Sequence, residues 1–296
     1  MEDSQWPRAS DWLARTDGEA QLHVVGVPSA RASISASRAD KAPAALRERL
    51  ARFSTFDGEG GVDLGAVSVL DHGDWPVADL DPVEMIEVVA DLASSMGPAV
   101  LKLFVGGDNA ITRPLVRAAG PLEDTGVITF DAHHDVRSLD NGPSNGTPIR
   151  GLIDDGLPGR NVAQVGIHSF ANSADYRAYC DRQGISITTM ADIDRTGIAT
   201  AMSAVLAAMS ARRIHVDVDV DVLDRAFAPG CPGARPGGMT IRQLARAVRM
   251  AAADQRVVSI DFVEVDPDRD RDGLTLDALA TVLLSAVSGF AERASR

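Results

Sequence analysis

Short runs of aliphatic and β-branched residues recur along the chain. Longer stretches with apolar positions at helical spacing separate them. Leu22–Val27, Val67–Leu70, Ala99–Val105, Gly126–Phe130, Asn161–Ile167, Ile185–Thr188, Arg213–Val218 and Val257–Val263 read as strands. Pro43–Phe53, Pro82–Met96, Asp192–Ser210, Thr240–Ala253 and Leu274–Ala291 read as helices. Pro43 falls in a first turn, where its missing N–H costs little. Asp81 is placed to cap the second helix, and Asp192 or Asp194 the third. Ser29–Ala39 and Phe227–Gly238 read as loops, and Asp71–Pro76 as a turn. Strands alternating with helices predict βαβ units. The expected fold is α/β in three layers, with a mostly parallel sheet of about eight strands covered by helices on both faces. No stretch is rich enough in Pro, Ser or Gly to divide the chain, so residues 1–296 are expected to form a single domain. Ligands in this architecture bind beyond the carboxyl ends of the strands, so the loops that follow strands are where chemistry is sought.

Composition narrows the class. Apolar residues make up 45% of the 296, enough to offset the entropy of ordering and to exclude a disordered chain. The 29 Lys and Arg against 42 Asp and Glu give a net charge of −13, the wrong sign for a nucleic-acid footprint. Only Cys180 and Cys231 occur, too few for a disulfide framework or a four-cysteine zinc site, and they fit a reducing compartment. Met1–Ser10 is polar, with Glu2 and Asp3 ahead of Trp6, and does not read as a secretory signal. No apolar run reaches the roughly 20 residues that span a bilayer. The expectation is a cytoplasmic protein with no membrane or nucleic-acid partner.

The acidic residues are clustered. After Gly126–Phe130 comes Asp131-Ala132-His133-His134-Asp135. In an extended segment, Asp131, His133 and Asp135 would point to one side, offering two hard oxygens and an imidazole that suit Mn2+ or a similar ion. A charged surface turn is the plainer alternative. In Asp217-Val218-Asp219-Val220-Asp221, alternation would likewise stack three carboxylates on one face. They would repel one another without a counter-ion. Val216, Val218 and Val220 on the reverse face suit a packed strand, against the alternative of a solvated acidic edge. Two such clusters at strand ends could form a two-metal site, where a water gives up a proton near neutral pH and attacks a carbonyl- or amidine-like carbon.

Four motifs in order extend this pattern: Gly106-Gly107-Asp108-Asn109; Asp131 to Asp135; Asp219-Val220-Asp221 running on to Phe227-Ala228-Pro229-Gly230; and Ser259-Ile260-Asp261-Phe262-Val263-Glu264-Val265-Asp266-Pro267. Together they resemble the ureohydrolase superfamily of arginases, agmatinases, guanidino-acid hydrolases and formimidoylglutamases, from about Val24 to the C-terminal helix. The resemblance implies a three-layer α/β fold, two Mn2+ per chain and a homo-oligomer, trimeric or hexameric. It implies that Asp131 and Asp219 bridge both ions, that Asp135 completes one shell, and that His133 and Asp221 complete the other. Glu264 matches the acid that pairs with a cationic guanidinium or formimidoyl head.

The chain also departs from the pattern. Asn109 stands where most relatives have His. Its amide oxygen suits a hard cation but is neutral and binds Mn2+ more weakly than imidazole, and a helix N-cap is the competing role. Asn145, in Ser144-Asn145-Gly146-Thr147-Pro148, stands where agmatinase-like enzymes have a proton-shuttling His. It cannot transfer protons but can hydrogen-bond a substrate. His134 and His168 are the remaining candidate shuttles, with His168 placed on the catalytic rim, and His215 reads equally as packing. Asp131 through Val136-Arg137 resembles the corresponding run of formimidoylglutamases. A guanidinium at Arg137 suits bidentate capture of a substrate carboxylate, the alternative being a surface pair with Asp140. Arg113 and Arg150 are weaker candidates. The expected activity is hydrolysis of N-formimidoyl-L-glutamate to L-glutamate and formamide. Asp135, Glu264 and His168 would be catalytic, and Arg137, Asn145 and Glu264 would bind substrate. The alternatives are a guanidino-acid hydrolase or agmatinase releasing urea, and a catalytically silent homologue.

Overall fold

The aliphatic runs pair side by side into one parallel sheet of eight strands. In chain order these are β1 (Leu22–Val27), β2 (Val69–Asp74), β3 (Leu101–Gly106), β4 (Thr125–Phe130), β5 (Val162–Ile167), β6 (Ser186–Thr189), β7 (Arg213–Asp219) and β8 (Val257–Val263). The computed structural model describes residues 3, 5–15, 20–97 and 99–295; of the N-terminal stretch read for a signal, residues 1, 2 and 4 lie outside the described residues. The strand order is β2-β1-β3-β8-β7-β4-β5-β6. β3 and β4, consecutive in sequence, are therefore held apart by β8 and β7. The loops leaving these four strands converge beyond their carboxyl ends, the crevice where open α/β sheets bind ligands.

The helices are α1 (Ala9–Leu13), α2 (Ala42–Arg49), α3 (Pro82–Ser95), α4 (Thr112–Ala119), α5 (Pro148–Asp154), α6 (Ala174–Gln183), α7 (Met190–Thr196), α8 (Ile198–Ala208), α9 (Ile241–Ala252) and α10 (Leu274–Ala291). Strand alternation sorts the core into two layers. Val24, Leu103, Ile128, Val216, Val218 and Ile260 pack with Leu46, Leu244, Leu279 and Leu283 of α2, α9 and α10. Val25, Phe104 and Val263 pack with Val89 and Leu115 of α3 and α4. Val127 and Val162 pack with Leu152 and Cys180 of α5 and α6. The three-layer α/β expectation holds.

Three local expectations are corrected. The helix expected over Asp192–Ser210 is two helices, α7 and α8, broken at Gly197 with φ of 80°. Thr189, not Asp192 or Asp194, is the N-cap, and Asp192 answers it from the third position of a capping box. The turn expected at Asp71–Pro76 belongs as far as Asp74 to β2, an edge strand whose exposed polar residues hid the period. Arg47 clamps that edge through Asp71 and Asp74. α10 is 18 residues long with mean hydropathy 1.7, so by length and composition it comes near the roughly 20 residues that span a bilayer. It is 61% buried against the core, and its Asp277 pairs with Arg49 at 2.5 Å.

The close approach of the loops after β1 and β3 sets up the site. Gly107 N–H donates to Val27 O at 3.0 Å, and Asp108 N–H to Ser29 O at 3.0 Å. A Cβ on Gly107 would lie 1.6 Å from Ser29 O, a backbone atom that cannot swing aside. Gly107→Ala should therefore cost about 3 kcal/mol or more in urea unfolding. A loss below about 1 kcal/mol would show that the two loops are free to separate.

Candidate metal centre and substrate cavity

Each acidic side chain reaches the site because its strand stops there. β4 ends at Phe130, and the chain then leaves the ladder. The expected extended run Asp131–Asp135 is instead an irregular loop, closed by Asp135 in the left-handed region at φ 51°. His133 N–H donates to Asp131 Oδ1 at 2.6 Å within that loop. β7 ends at Asp219, and Val220–Val222 is a single 3-10 turn. Asp221 thus arrives by the turn, its N–H bonded to Asp219 Oδ1 at 2.8 Å, and not by strand alternation. Asp217 stays behind in the sheet, with Thr129 and Asp261 as its register partners on the flanking strands. Glu264 follows β8 directly and is also left-handed, at φ 68°. Left-handed backbone costs a residue with a Cβ on the order of 1 kcal/mol, and two of the site's acids carry that strain.

These turns bring together buried Asp131, Asp135, Asp219, Asp221 and Glu264. Asp131, His133 and Asp221 offer ligand atoms that all lie within 4.8 Å of one another. His133 Nδ1 is 2.7 Å from Asp221 Oδ2. The charges of this group oppose one another. Burial, then the Asp221 charge, push Asp131 up to about 8. Burial and the charge of Asp131 hold Asp135 well above the usual carboxylate range, and burial with Asp221, Asp131 and Glu264 does the same to Asp219. Burial opposes ionisation of Asp221 too, yet His133 holds it below its ordinary value. The Asp221 charge in turn drives His133 up to about 12. One imidazolium thus faces several acids that are largely withdrawn from water. This donor set, oxygen-rich with one imidazole and short of positive charge, fits hard divalent cations.

The two asparagines frame the cluster. Asn109 Nδ2 donates to Asp135 Oδ2 at 2.8 Å and lies 3.4 Å from Asp219 Oδ2, while its Oδ1 accepts from Thr112 Oγ1 at 2.7 Å. Its expected capping role belongs to Asp108, whose carboxylate accepts from Ala110 N–H. Asn109 N–H and Asn145 Nδ2 both donate to Glu264 Oε1, at 2.8 and 3.0 Å. Burial and the nearby Asp108 nonetheless push Glu264 up to about 8.

The expected second imidazole is not found at the reacting centre. His134 Nδ1 is 2.6 Å from Gln164 Oε1 in the core, and His168 Nε2 is 3.1 Å from the Val222 carbonyl, a contact that spends its proton. Of these, neither lines the cavity of about 170 Å³ that opens over the carboxylates; His133 does. His215 is fully buried between Ser259 and Asp261. Arg137 does line the cavity, its Cδ resting over Gly146, where a Cβ would lie 2.6 Å away. It has no ion pair with Asp140 among the described residues. Arg113 pairs with Asp155, and Arg150 with Asp154 over the Tyr179 ring, which removes both from substrate recognition. The cavity adds Ile34, Tyr176 and Arg235, which the motifs do not mark. Tyr176 sits on α6, a helix with too few apolar residues to announce itself, and Arg235 in a loop of unremarkable Gly-Pro composition.

The fold and the site place the chain among α/β enzymes that carry their chemistry at the carboxyl ends of a parallel sheet. The profile of the arginase family matches residues 20–289. The formimidoylglutamase of Halalkalibacterium halodurans is 38% identical over 287 residues, covering 93% of this chain and 88% of that protein. The crystal structure of formimidoylglutamase from Bacillus subtilis superposes with a TM-score of 0.92 at 35% identity, covering 98% of this chain and 93% of that one. Trypanosoma cruzi formiminoglutamase, solved with Mn2+, has a TM-score of 0.87 at 24% identity, covering 97% of this chain and 99% of that one, a likeness of fold. The chain belongs to the arginase family, and it is a hydrolase of carbon–nitrogen bonds in linear amidines.

The site's ionisation makes the metal-stripped protein pH-sensitive. Asp131 rises from 3.8 to about 8, Glu264 from 4.5 to about 8 and His133 from 6.5 to about 12 on folding. The folded state therefore binds more protons than the unfolded chain across this range. Stability is fullest below the ordinary values and falls as pH rises toward the folded ones. The Tm of the stripped protein should fall between about pH 5.5 and pH 8.5, and added Mn2+ should raise it more at pH 8.5, because binding releases protons. A Tm flat across that window, or a metal effect independent of pH, would contradict this electrostatic picture.

Proposed function

We propose that this chain is a formimidoylglutamase, hydrolysing N-formimidoyl-L-glutamate to L-glutamate and formamide. The observation that carries this reading is Arg137, a guanidinium without a carboxylate partner among the described residues, which lines the same cavity as Asp135, Asp219, Asp221 and Glu264. An anionic cavity repels an acidic substrate unless a cation is built into its wall. A substrate with a cationic head and a carboxylate tail matches both ends. The names of the relatives at 36–38% identity agree.

We assign Asp131, Asp135, Asp219, Asp221 and His133 as the residues that would hold two Mn2+ ions, while Asn109, expected as a ligand, has its Oδ1 taken by Thr112 and its Nδ2 turned to Asp135 and Asp219, and so steadies these acids instead. When bound, manganese supplies Lewis acidity, lowering the pKa of a water toward neutrality so that it attacks the formimidoyl carbon. The protein's part is orientation and proton transfer. Glu264, steadied by Asn109 N–H and Asn145 Nδ2, ionises opposite the cationic head, whose charge offsets the cost of burying the carboxylate. Asp135, fixed by Asn109 Nδ2, takes a proton from the attacking water and returns it to the leaving amine. The C–O bond forms as the C=N double bond opens, and the C–N bond to glutamate then breaks as the double bond at that carbon re-forms to give formamide. Asn145 positions Glu264 and carries no proton.

Two measurements test this. Mn2+-loaded protein incubated with N-formimidoyl-L-glutamate, a guanidino acid or agmatine should release formamide from the first and no urea from the others. Urea from a guanidino substrate without formamide would replace this reading with the amidinohydrolase alternative. Asp219→Asn should lower kcat about 1000-fold or more and reduce the Mn2+ held per chain. Unchanged Mn2+ content would remove Asp219 from the ligand set.

A further inference from the structure

N-formimidoyl-L-glutamate carries two carboxylates, and Arg137 accounts for one. The same cavity holds a second guanidinium, Arg235, which has no side-chain hydrogen bond or ion pair among the described residues. It comes from the loop after β7, whereas Arg137 comes from the loop after β4. That loop is tied down. Arg225 N–H donates to the Arg235 carbonyl at 3.1 Å, and Arg225 Nη1 reaches the carbonyls of Cys231 and Ala234 at 3.2 and 3.4 Å. Asp224 braces its other limb, accepting from Gly237 N–H at 2.6 Å. Gly233, two residues before Arg235, is pressed against the acidic cluster, where a Cβ would lie 2.4 Å from Asp221 Oδ2. Arg235 is thus held at the rim by a braced backbone, with its charge unspent in a cavity whose floor is anionic.

We propose that Arg235 is a second carboxylate-binding residue, so that the cavity selects a dicarboxylate with one carboxylate on each of Arg137 and Arg235. This rests on the formimidoylglutamase reading and names what sets its substrate apart. A guanidino acid with one carboxylate fills one arginine, and agmatine fills neither. An arginine left unpaired beside a bound monocarboxylate gains nothing from it, so the preference is one of affinity and appears in KM more than in kcat.

The experiment compares N-formimidoyl-L-glutamate with N-formimidoyl-L-glutamine, which lacks the distal charge, and N-formimidoyl-4-aminobutyrate, which lacks the proximal carboxylate. Arg235→Ala should raise KM for the dicarboxylate on the order of tenfold or more, as expected for losing a charge-assisted contact, with kcat nearly unchanged. It should leave KM nearly unchanged for the one analogue that lacks the carboxylate Arg235 holds. Arg137→Ala should spare the other analogue. Arg235→Lys should recover part of the loss, since it restores charge without the fork. Equal effects of Arg235→Ala on all three substrates, or none on the dicarboxylate, would overturn the proposal while formamide release by the unaltered enzyme keeps the parent reading intact. Absence of formamide release by the unaltered enzyme would instead overturn the parent reading.

Discussion

Carboxylates gathered out of water are the constraint on which the rest of this structure depends. Asp131, Asp135, Asp219, Asp221 and Glu264 are all buried, and the one imidazole among them is His133. Such a group is tolerable only if protons or cations enter it. The sheet order explains how it arises. β3, β8, β7 and β4 are neighbours, and their ends deliver Asn109, Glu264, Asp219 and Asp131 to one crevice. The strain of left-handed Asp135 and Glu264 and the backbone contact at Gly107 are local costs of that convergence.

The pressure continues below the cavity. On the face packed by α3–α6, the central strands carry Thr129, Asp217, His215, Ser259 and Asp261, all buried. His215 bridges Ser259 and Asp261, and Thr112 links Asp261 to the Asn109 amide at 2.9 and 2.7 Å. Burial and the charge of Asp261 hold Asp217 protonated well above the usual range, so the pair keeps one acid neutral. A neutral acid beneath the cluster adds no further repulsion to it. Asn109 is therefore a junction: its amide touches the acids above, and its Thr112 contact leads into the polar layer beneath.

Much of this was legible in the residues, though not always for the reason first read. Aliphatic runs marked the six inner strands, which the sheet buries on both faces, and caught the polar edge strand β2 only at its start. The acidic motifs marked residues that do converge, yet Asp131–Asp135 and Asp219–Asp221 converge through turns, and period two alone would have put Asp217 among them. Asp135 and Glu264 in left-handed backbone are invisible to a pattern that assumes strand geometry. α6 went unseen because Cys180 is its single fully buried residue, and with it went Tyr176. His168 reads as rim chemistry from its place after β5, but the turn at Val222 captures its ring. These misses share a cause: side-chain direction at a strand end is set by tertiary contacts, which no local period records.

The asparagines and arginines are better read together than singly. Replacing imidazole by amide at Asn109 and Asn145 removes two groups that protonate near neutrality. What remains near the reacting centre is carboxylate chemistry, with amides that fix the acids in place. Fewer imidazoles also mean less adjustable positive charge in the cavity. The guanidinium groups of Arg137 and Arg235 sit instead at its wall. The site thus separates its tasks by charge type. Carboxylates at the floor are suited to cations, and guanidinium groups at the wall to anions. A molecule with a cationic amidine at one end and carboxylates at the other is complementary to that division along its whole length.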